Sequence, residues 1–199
     1  MARSLCGCCN RPTKTCICQF MTNIKNQMNV IVLQHFNEVS QTKGSLTLLA
    51  NSLEHCTVII GENFSDNKEL NQLLIRYKNN AYLLYPHQHS QTLNDDKNNV
   101  IDFKNSCLII LDGTWRKAYR MFMLSKNLHP LQKVELPNGY KSFYDVRKTT
   151  VTNGLSTLEA CCYALEIIER DNKKYQKLIT NFKLFNDFLL SYTLKDKIS

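Results

Sequence analysis

The sequence predicts an α/β protein built on a parallel β-sheet. Four short apolar runs, which begin at Val30, Val58, Tyr82 and Leu108, are separated by stretches in which apolar residues recur at helical spacing. Uninterrupted apolar runs are typical of strands that are buried on both faces, as in parallel sheets. Strands that alternate with helices indicate a layered α/β architecture. We therefore expect a parallel-sheet, three-layer domain.

The predicted elements follow in order along the chain. The strands are residues 30–33, 58–60, 82–85, 108–111 and, more weakly, 133–136. Helical spacing of apolar residues predicts helices in 46–53, 70–77, 118–127, 156–168 and 171–195. The helix that follows Ser156 begins with a capping box, in which Glu159 reaches back to the backbone of Ser156. The polar, asparagine-rich stretch 88–105 is predicted to be a surface loop.

Length, charge and hydropathy narrow the class of protein. The 199 residues suit one domain with an appendage, and no apolar run approaches the ~20 residues of a membrane span. The first residues lack an apolar signal segment, and nine cysteines, an odd number, do not suit a secreted disulfide scaffold. We therefore expect a cytoplasmic protein with reduced thiols. Its 25 basic and 17 acidic residues give a net charge of +8, which favours a polyanionic partner.

Five of the nine cysteines lie within the first 18 residues, and their spacing predicts a metal site. The four that are spaced as zinc ligands are Cys6, Cys9, Cys16 and Cys18. Zinc prefers four soft ligands in a tetrahedron, and two cysteines in one turn supply half of them. The alternative is a set of reduced thiols without a metal; Cys8 is the spare cysteine. We expect a zinc knuckle in residues 1–20, which are too few to build a core, followed by the α/β domain in 21–199.

Polar residues follow the predicted strands, at the edge where open α/β sheets bind ligands. They occur in three segments: His35 to Glu38, Asp112 to Arg116, and Arg147 followed by Leu155 to Glu159. Several of them have structural alternatives. In the structural alternative, His35 is a histidine held by hydrogen bonds in the core, and Asp112 caps the following helix. Trp115 is then a buried core residue, and Arg147 forms an ion pair with a carboxylate. These residues alone therefore predict a ligand-binding domain without naming a reaction.

An ordered set of motifs runs through nearly the whole chain. At its centre stands Asp112-Gly113-Thr114-Trp115. Around it stand the cysteine motifs, Pro12, Val32-Leu33-Gln34-His35 with Glu38, Gly44-Ser45, Tyr85-Pro86, Arg147, and Leu155-Ser156-Thr157-Leu158-Glu159-Ala160. In content and order this set resembles the DTW-domain family and is similar to bacterial tRNA-uridine aminocarboxypropyltransferase. One departure is Phe36, which stands where the family usually has proline.

The resemblance implies transfer of the 3-amino-3-carboxypropyl group of S-adenosylmethionine to N3 of a uridine in tRNA. Methylthioadenosine is the second product. The resemblance also implies a relation to the knotted SPOUT-type methyltransferases, so we expect a SPOUT-like fold with a knotted cofactor site. The expected partners are tRNA and S-adenosylmethionine, with structural zinc, and the expected assembly is a monomer or weak oligomer.

The same resemblance assigns residues to roles. The catalytic candidates are Asp112, Thr114 and Trp115. The candidates for binding S-adenosylmethionine are His35, Glu38, Pro86, Leu111, Asp112, Gly113, Leu155, Ser156, Thr157 and Glu159. The candidates for binding RNA are Arg147, Arg116, Lys173, Lys174 and Lys177. The three lysines come from the lysine-rich last helix and not from the resemblance, and a solvated helix face is their structural alternative. Arg147 is equally suited to the carboxylate of the donor. Asp112 is the candidate base for the N3 proton, and Trp115 or Tyr85 is the candidate platform for an unstacked base.

Two other functions fit part of the pattern. A SPOUT-type tRNA methyltransferase uses the same donor and the same polyanion, but its acceptor attacks the methyl carbon. A zinc-knuckle RNA-binding module without chemistry accounts for the positive charge and the cysteines. It does not account for the polar residues at the ends of the strands.

Overall fold

The buried aliphatic runs form the centre of the fold. The computed structural model describes residues 4–9, 11–40, 45–94, 101–140, 142 and 154–195. Its strands are β1 (Asn29–His35), β2 (Cys56–Gly61), β3 (Ala81–Leu84), β4 (Gln91–Thr92), β5 (Cys107–Asp112) and β6 (Gln132–Glu135). They form one six-stranded sheet in the order β2-β1-β5-β3-β6-β4. Every pair of neighbours is parallel, which confirms the predicted parallel sheet.

Strand β5 lies in the middle of the sheet although four strands precede it in the chain. It pairs with β1 on one side, from Asn29 opposite Cys107 to Gln34 opposite Asp112, and with β3 on the other side. Its residues from Cys107 to Leu111 are buried, whereas Asp112 at its end is partly exposed. The uninterrupted apolar run follows from this position, because both faces of a central strand are covered.

Five α-helices accompany the sheet in the described part of the chain. They are α1 (Leu46–Ala50), α2 (Lys68–Tyr77), α3 (Trp115–Leu124), α4 (Thr157–Glu169) and α5 (Gln176–Lys195). Helices α1, α4 and α5 pack on one face of the sheet with Val32 and Ile110, and α2 and α3 pack on the other with Ile31 and Ile109. Successive side chains of a strand point to opposite faces, so each strand contributes to two cores. This confirms the three layers. Among the described helices, none has the length and apolar character needed to cross a bilayer.

Two boundaries differ from the predicted elements near the middle of the chain. Strand β4 lies inside the stretch 88–105, where only a loop is predicted, because its short backbone segment pairs with β6 at the edge of the sheet. Helix α3 ends at Leu124, and residues 126–128 form a separate 3-10 turn. The side chain of Ser125, between them, accepts the backbone N–H of Phe64 at 3.0 Å.

The start of α5 also differs from the prediction. Arg170 adopts a left-handed conformation, with φ of 55°, and ends α4. The carboxylate of Asp171 then accepts the backbone N–H groups of Lys173 and Lys174 at 3.2 and 3.1 Å. This turn uses the residues with which the predicted helix begins, so α5 starts at Gln176.

The N-terminal cysteine segment packs against α5. Ile17 is fully buried, and the ring of Phe20 lies 5.7 Å from the rings of both Phe185 and Phe188. The side chain of Asn181 donates to the backbone oxygen of Phe20 at 3.0 Å. The segment that is predicted to form a separate knuckle therefore shares part of its core with the α/β domain.

A buried carboxylate joins the end of α4 to the start of β1. Glu169 accepts the backbone N–H groups of Gln27 and Met28 at 2.7 and 2.9 Å, and Lys174 Nζ donates to it at 2.6 Å. Met28 directly precedes β1, so α4 ends at the edge of the sheet where the strands begin. Its first turn therefore points towards the opposite edge, where the strands end.

Candidate active site

A cleft of about 360 Å³ opens at the edge of the sheet where the strands end. Its walls come from the ends of β3, β5 and β6 and from the first turns of α3 and α4. Open parallel sheets bind ligands at this edge, and the volume lies in the range of small-molecule sites. The predicted site residues that line the cleft are Pro86, Leu111, Gly113, Trp115, Leu155, Ser156 and Thr157.

The cleft combines apolar walls with a few polar groups. Leu84, Ile110 and Leu136 contribute apolar surface. Glu135 contributes the one carboxylate among the described lining residues, and Thr92 Oγ1 donates to it at 3.3 Å. Such a surface suits a ligand with a flat apolar part and a charged or hydroxylated part.

Asp112 is not itself among the lining residues; it lies at the end of β5, between Leu111 and Gly113, which do line the cleft. Thr157 Oγ1 donates to its Oδ1 at 2.6 Å, and Gln34 Nε2 donates to its Oδ2 at 3.1 Å. Burial raises the pKa of Asp112, and these two hydrogen bonds act on the pKa in the opposite direction. A carboxylate has about four lone-pair sites. Asp112 can therefore still accept a hydrogen bond or a proton from a ligand.

Helix α3 is capped by Thr114. Its Oγ1 accepts the backbone N–H of Lys117 at 3.4 Å, and its backbone is extended, as is typical of an N-cap residue. The capping alternative for Asp112 is therefore wrong, because that carboxylate precedes the cap and contacts β1 and α4 instead. Gly113 brings the chain close to the helix, since a Cβ at this position would lie 3.1 Å from the Cβ of Lys117.

Two aromatic side chains line the mouth of the cleft. Trp115 is 53% exposed, so the alternative that it is a core residue is wrong. Tyr85 is half-buried, and its ring stacks on Phe122 with the centroids 4.8 Å apart. Burial, and then the nearby phenol of Tyr119, raise the pKa of Tyr85. Either ring offers a flat surface to an unstacked base.

The first turn of α4 brings backbone donors to the cleft. Its predicted capping box is confirmed, since Ser156 Oγ accepts the N–H of Glu159 at 3.2 Å and Glu159 Oε2 accepts the N–H of Ser156 at 2.8 Å. The N–H groups of Thr157 and Leu158 have no partner within the described ranges, as is usual at the start of a helix. Glu159 is fully buried and also accepts from Ser142 Oγ at 2.9 Å, and it is not among the residues that line the cleft.

His35 and Glu38 also lie outside the wall of the cleft. His35 is buried; its Nδ1 accepts a backbone N–H at 3.1 Å, and its Nε2 lies 3.2 Å from Oε1 of Glu62. Both ring nitrogens thus have partners inside the protein, which matches the structural alternative. Glu38 pairs with Lys117 at 2.6 Å. Phe36, in place of the usual proline, starts a 3-10 turn and stacks on the His35 ring at 4.4 Å.

Among the residues predicted to bind RNA, those that the structure describes lie on different sides of the molecule. Arg116 is exposed in the first turn of α3, next to the cleft. Lys174 pairs with the buried carboxylate at the end of α4, which is about 20 Å along this helix from the cleft. Lys173 and Lys177 are exposed in the same region as Lys174. Arg147 lies outside the described residues.

Sequence reasoning missed three polar residues of the cleft, Thr92, Glu135 and Asn138. Glu135 ends a predicted strand, so the rule applied to the other strand ends also identifies it. Thr92 gave no signal, because β4 is only two residues long and lies in a stretch with the composition of a loop.

Four cysteine sulfurs come together in the N-terminal segment. The Sγ atoms of Cys6, Cys9, Cys16 and Cys18 all lie within 4.8 Å of one another. Their shortest separations are 3.5 to 3.7 Å. A tetrahedral zinc ion with bonds of ~2.3 Å holds its sulfurs ~3.8 Å apart, so these thiols fit the ion. Backbone N–H groups of Cys9 and Cys8 lower the pKa of Cys6 to about 6, whereas the hydrogen bond with Cys16 raises the pKa of Cys18. The sulfur distances, and not these opposed shifts, are therefore the observation that fits zinc. The spare Cys8 is exposed.

Comparison with known proteins agrees with the motifs. The family model described as the DTW domain matches residues 3–190. Proteins of Mus musculus and Macaca fascicularis, both named tRNA-uridine aminocarboxypropyltransferase 2, are 28% identical to this chain over 203 residues, which is 99% of this chain and 67% of each relative. A Drosophila melanogaster protein of the same name is 28% identical over 184 residues, covering 89% of this chain and 71% of its own length. No solved structure matches the chain.

Proposed function

We propose, because the chain belongs to the DTW-domain family, that it transfers the 3-amino-3-carboxypropyl group of S-adenosylmethionine to N3 of a uridine in tRNA. The observation that carries this proposal is the partly buried Asp112 carboxylate, which Thr157 and Gln34 hold beside a cleft at the ends of the strands. The names of the relatives, which are tRNA-uridine aminocarboxypropyltransferases, support the same class of reaction.

In the proposed reaction, N3 of uridine attacks the γ-carbon of the aminocarboxypropyl arm. A carbon–nitrogen bond forms while the bond from this carbon to the sulfonium sulfur breaks. The bonding electron pair returns to sulfur, and methylthioadenosine leaves. The N3 proton passes to Asp112, whose raised pKa makes it a stronger base than an exposed aspartate. General-base help of this kind typically contributes about 10²–10⁴-fold to a rate.

The cleft offers a partner to each part of the donor. The apolar wall that includes Ile110 suits the adenine ring. The free N–H groups of Thr157 and Leu158, at the positive end of α4, suit the carboxylate of the arm. The carboxylate of Glu135 suits the ammonium or the ribose hydroxyls. Since three carbons of a sulfonium are open to attack, these contacts select the γ-carbon by position.

Further parts of the proposal concern the frame around the site. The expectation of a SPOUT-like knot at the cleft rests on the family resemblance, and the all-parallel sheet supports the α/β architecture alone. One structural zinc ion is held by the four-cysteine cluster, as the sulfur distances support. The protein is cytoplasmic, because the thiols of such a site must stay reduced.

The first test is transfer to tRNA in vitro. Purified protein is incubated with S-adenosylmethionine and unmodified tRNA, and the digested nucleosides are analysed by mass spectrometry. We expect a uridine that carries the aminocarboxypropyl group and an equal amount of methylthioadenosine. A methylated nucleoside with S-adenosylhomocysteine would show the methyltransferase alternative. Tight tRNA binding without either product would support the alternative of an RNA-binding module without chemistry.

The second test concerns the base. Asp112→Asn should lower single-turnover transfer by about 10²-fold or more, because the proton acceptor is lost. Calorimetry should show that the affinity for S-adenosylmethionine changes by no more than about two- to three-fold, since the amide keeps the shape of the site. Asp66→Asn, an exposed aspartate outside the cleft, is the matched control. If Asp112→Asn transfers the group at the wild-type rate and has the thermal stability of the wild type, Asp112 is not the catalytic base.

A further inference from the structure

We propose that the exposed face of α3, formed by Trp115, Arg116, Tyr119 and Met123, binds the single-stranded RNA next to the target nucleotide. We call it the α3 face. The proposal rests on the proposed function, because it assumes that the cleft receives a nucleotide of tRNA. It assigns RNA binding to Tyr119 and Met123, which carry no motif, and it places the substrate strand on the layer of the molecule that holds α2 and α3.

The α3 face carries an exposed apolar stripe. Trp115, Tyr119 and Met123 are 53%, 58% and 50% exposed. Their spacing places them one above the other along one side of the helix. The opposite side of α3, which includes Met121, is buried against the sheet. A helix that already buries one stripe normally turns polar residues outwards, so a second stripe with two large rings indicates a binding surface.

The stripe is continuous with the cleft. Trp115 belongs to the α3 face and also lines the cleft. One turn further along the same side of the helix, the exposed ring of Tyr119 follows that of Trp115. From Trp115 to Met123 the helix rises about 12 Å. A strand that leaves the cleft therefore meets a second ring directly after the first.

The charges of α3 suit a polyanion. The helix contains Arg116, Lys117 and Arg120 and no acidic residue. Lys117 pairs with Glu38 at 2.6 Å, and Arg120 pairs with Glu62 at 2.7 Å. Arg116 has no ion pair within the described part of the chain. It lies in the first turn, where the positive end of the helix also favours an anion. A phosphate group next to the apolar stripe would interact favourably with the guanidinium of Arg116 and with the positive end of the helix.

Single-stranded RNA is the occupant that fits this combination. Proteins that bind single strands combine basic groups along the backbone with aromatic side chains on which successive bases stack. A stable protein partner usually buries about 800 Å² per side, and three side chains on one helix offer much less than that. The lysines near the start of α5, such as Lys177, lie at the edge of the sheet opposite the cleft, so they cannot contact the nucleotides beside the target.

The test is the affinity for tRNA, measured by fluorescence anisotropy without the donor. Tyr119→Ala should weaken binding by about 5- to 100-fold, the range for loss of one stacked base. Tyr119→Phe keeps the ring and should bind within about two-fold of the wild type. The matched control is Leu184→Ala, because Leu184 is 51% exposed on α5 in the other layer. The affinity for S-adenosylmethionine reports whether the cleft is intact in each variant.

The salt dependence tests the phosphate contact. Arg116→Gln should reduce the slope of log K against log salt concentration by about 0.7, the value for one phosphate of a single strand. Lys177→Gln tests the competing surface at the start of α5. If its effect on affinity and slope exceeds that of Arg116→Gln, the α5 surface and not the α3 face binds the RNA.

The outcomes separate this proposal from the proposed function. Suppose that the enzyme makes the modified uridine and that Tyr119→Ala and Arg116→Gln both bind tRNA with wild-type affinity. This result overturns the proposal for the α3 face and leaves the proposed reaction standing. Loss of tRNA affinity in these variants, in a protein that makes no modified uridine, supports the α3 face and overturns the reaction. Self-association that Tyr119→Ala abolishes, with unchanged tRNA affinity, shows a protein interface and overturns the RNA proposal.

Discussion

At the residue scale, burial and hydrogen bonding act on Asp112 in opposite directions. Burial raises its pKa, whereas the hydrogen bonds from Thr157 and Gln34 lower it. In the proposed reaction the carboxylate is the working form, so transfer should become faster as the pH rises through the pKa of Asp112. Because burial has the largest effect, this rise should come at a higher pH than for an exposed aspartate.

Replacing Thr157 tests this balance. Thr157→Val removes the hydroxyl that donates to Asp112 at 2.6 Å, so the pKa of Asp112 should rise further. In a plot of the single-turnover rate against pH, the acid limb, where the rate rises with pH, should therefore move to higher pH. Thr157→Ser keeps the hydroxyl and should keep the wild-type profile. A limb that stays in place in Thr157→Val, or moves to lower pH, would contradict the assignment of this limb to Asp112.

Thr114 allows a separate test of helix capping. Thr114→Ala removes the side-chain oxygen that accepts the N–H of Lys117, so the free energy of unfolding should fall by about 1 kcal/mol. Urea denaturation measures this loss, and Thr114→Ser should restore most of the stability. Unchanged stability of Thr114→Ala would show that the long hydrogen bond of 3.4 Å contributes nothing.

The place of Asp112 could be predicted from the sequence, because a carboxylate after a buried strand must lie at the edge of the sheet. Its partners could not. Gln34 and Thr157 belong to β1 and α4, which are far from Asp112 in the chain, and only the arrangement of the sheet brings them together. The same limit explains Glu159, whose capping role followed from spacing alone but whose contact with Ser142 did not.

At the scale of elements, the cysteine segment should depend on zinc. We expect about one equivalent of zinc in the purified protein, bound by the four clustered thiols. Chelation should speed hydrogen exchange in residues 4–20, because the metal holds the segment whose Phe20 packs against α5. The strands should stay protected, since their core lies between the helices.

Two serine variants sharpen this prediction. Cys16→Ser removes one of the clustered thiols and should lower the zinc content and the melting temperature together. Cys8→Ser changes the exposed cysteine outside the cluster and should alter neither. Protein without zinc, or equal zinc in both variants, would favour the alternative of reduced thiols without a metal.

Elements with a strong local signal could be predicted, and those that depend on distant partners could not. The aliphatic run of β5 and the capping box of α4 are visible in a few consecutive residues. Strand β4 depends on pairing with β6, and the delayed start of α5 depends on the turn around Asp171. Neither feature changes the hydrophobic periodicity from which the elements were predicted.

At the scale of the whole molecule, the net charge of +8 predicts salt-sensitive binding of tRNA. If at least three phosphates are neutralised, log K should fall against log salt concentration with a slope of about −2 or steeper. Anisotropy titrations between low and physiological salt measure the slope. Affinity that does not change over this range would contradict an electrostatic mode of binding.

The layers could be predicted, but the order of the strands could not. Alternation of strands and helices indicates three layers, whatever the neighbours within the sheet are. Nothing in the apolar runs says that β5 pairs with β1 and β3. This order is what brings the ends of β3, β5 and β6 to one cleft, so the set of strands that forms the cleft became clear only from the structure, although the edge of the sheet was predicted.

The central position of β5 has a consequence for the growing chain on the ribosome. Until β5 has been synthesised, β1 and β3 lack the strand that lies between them, and each keeps an open edge. Closing such long-range contacts is slow, and exposed edges invite pairing with other chains. The first turn of α4 comes later still. We therefore expect the cleft to be completed only after the first turn of α4 has been synthesised, so that no shorter nascent chain competes for the donor.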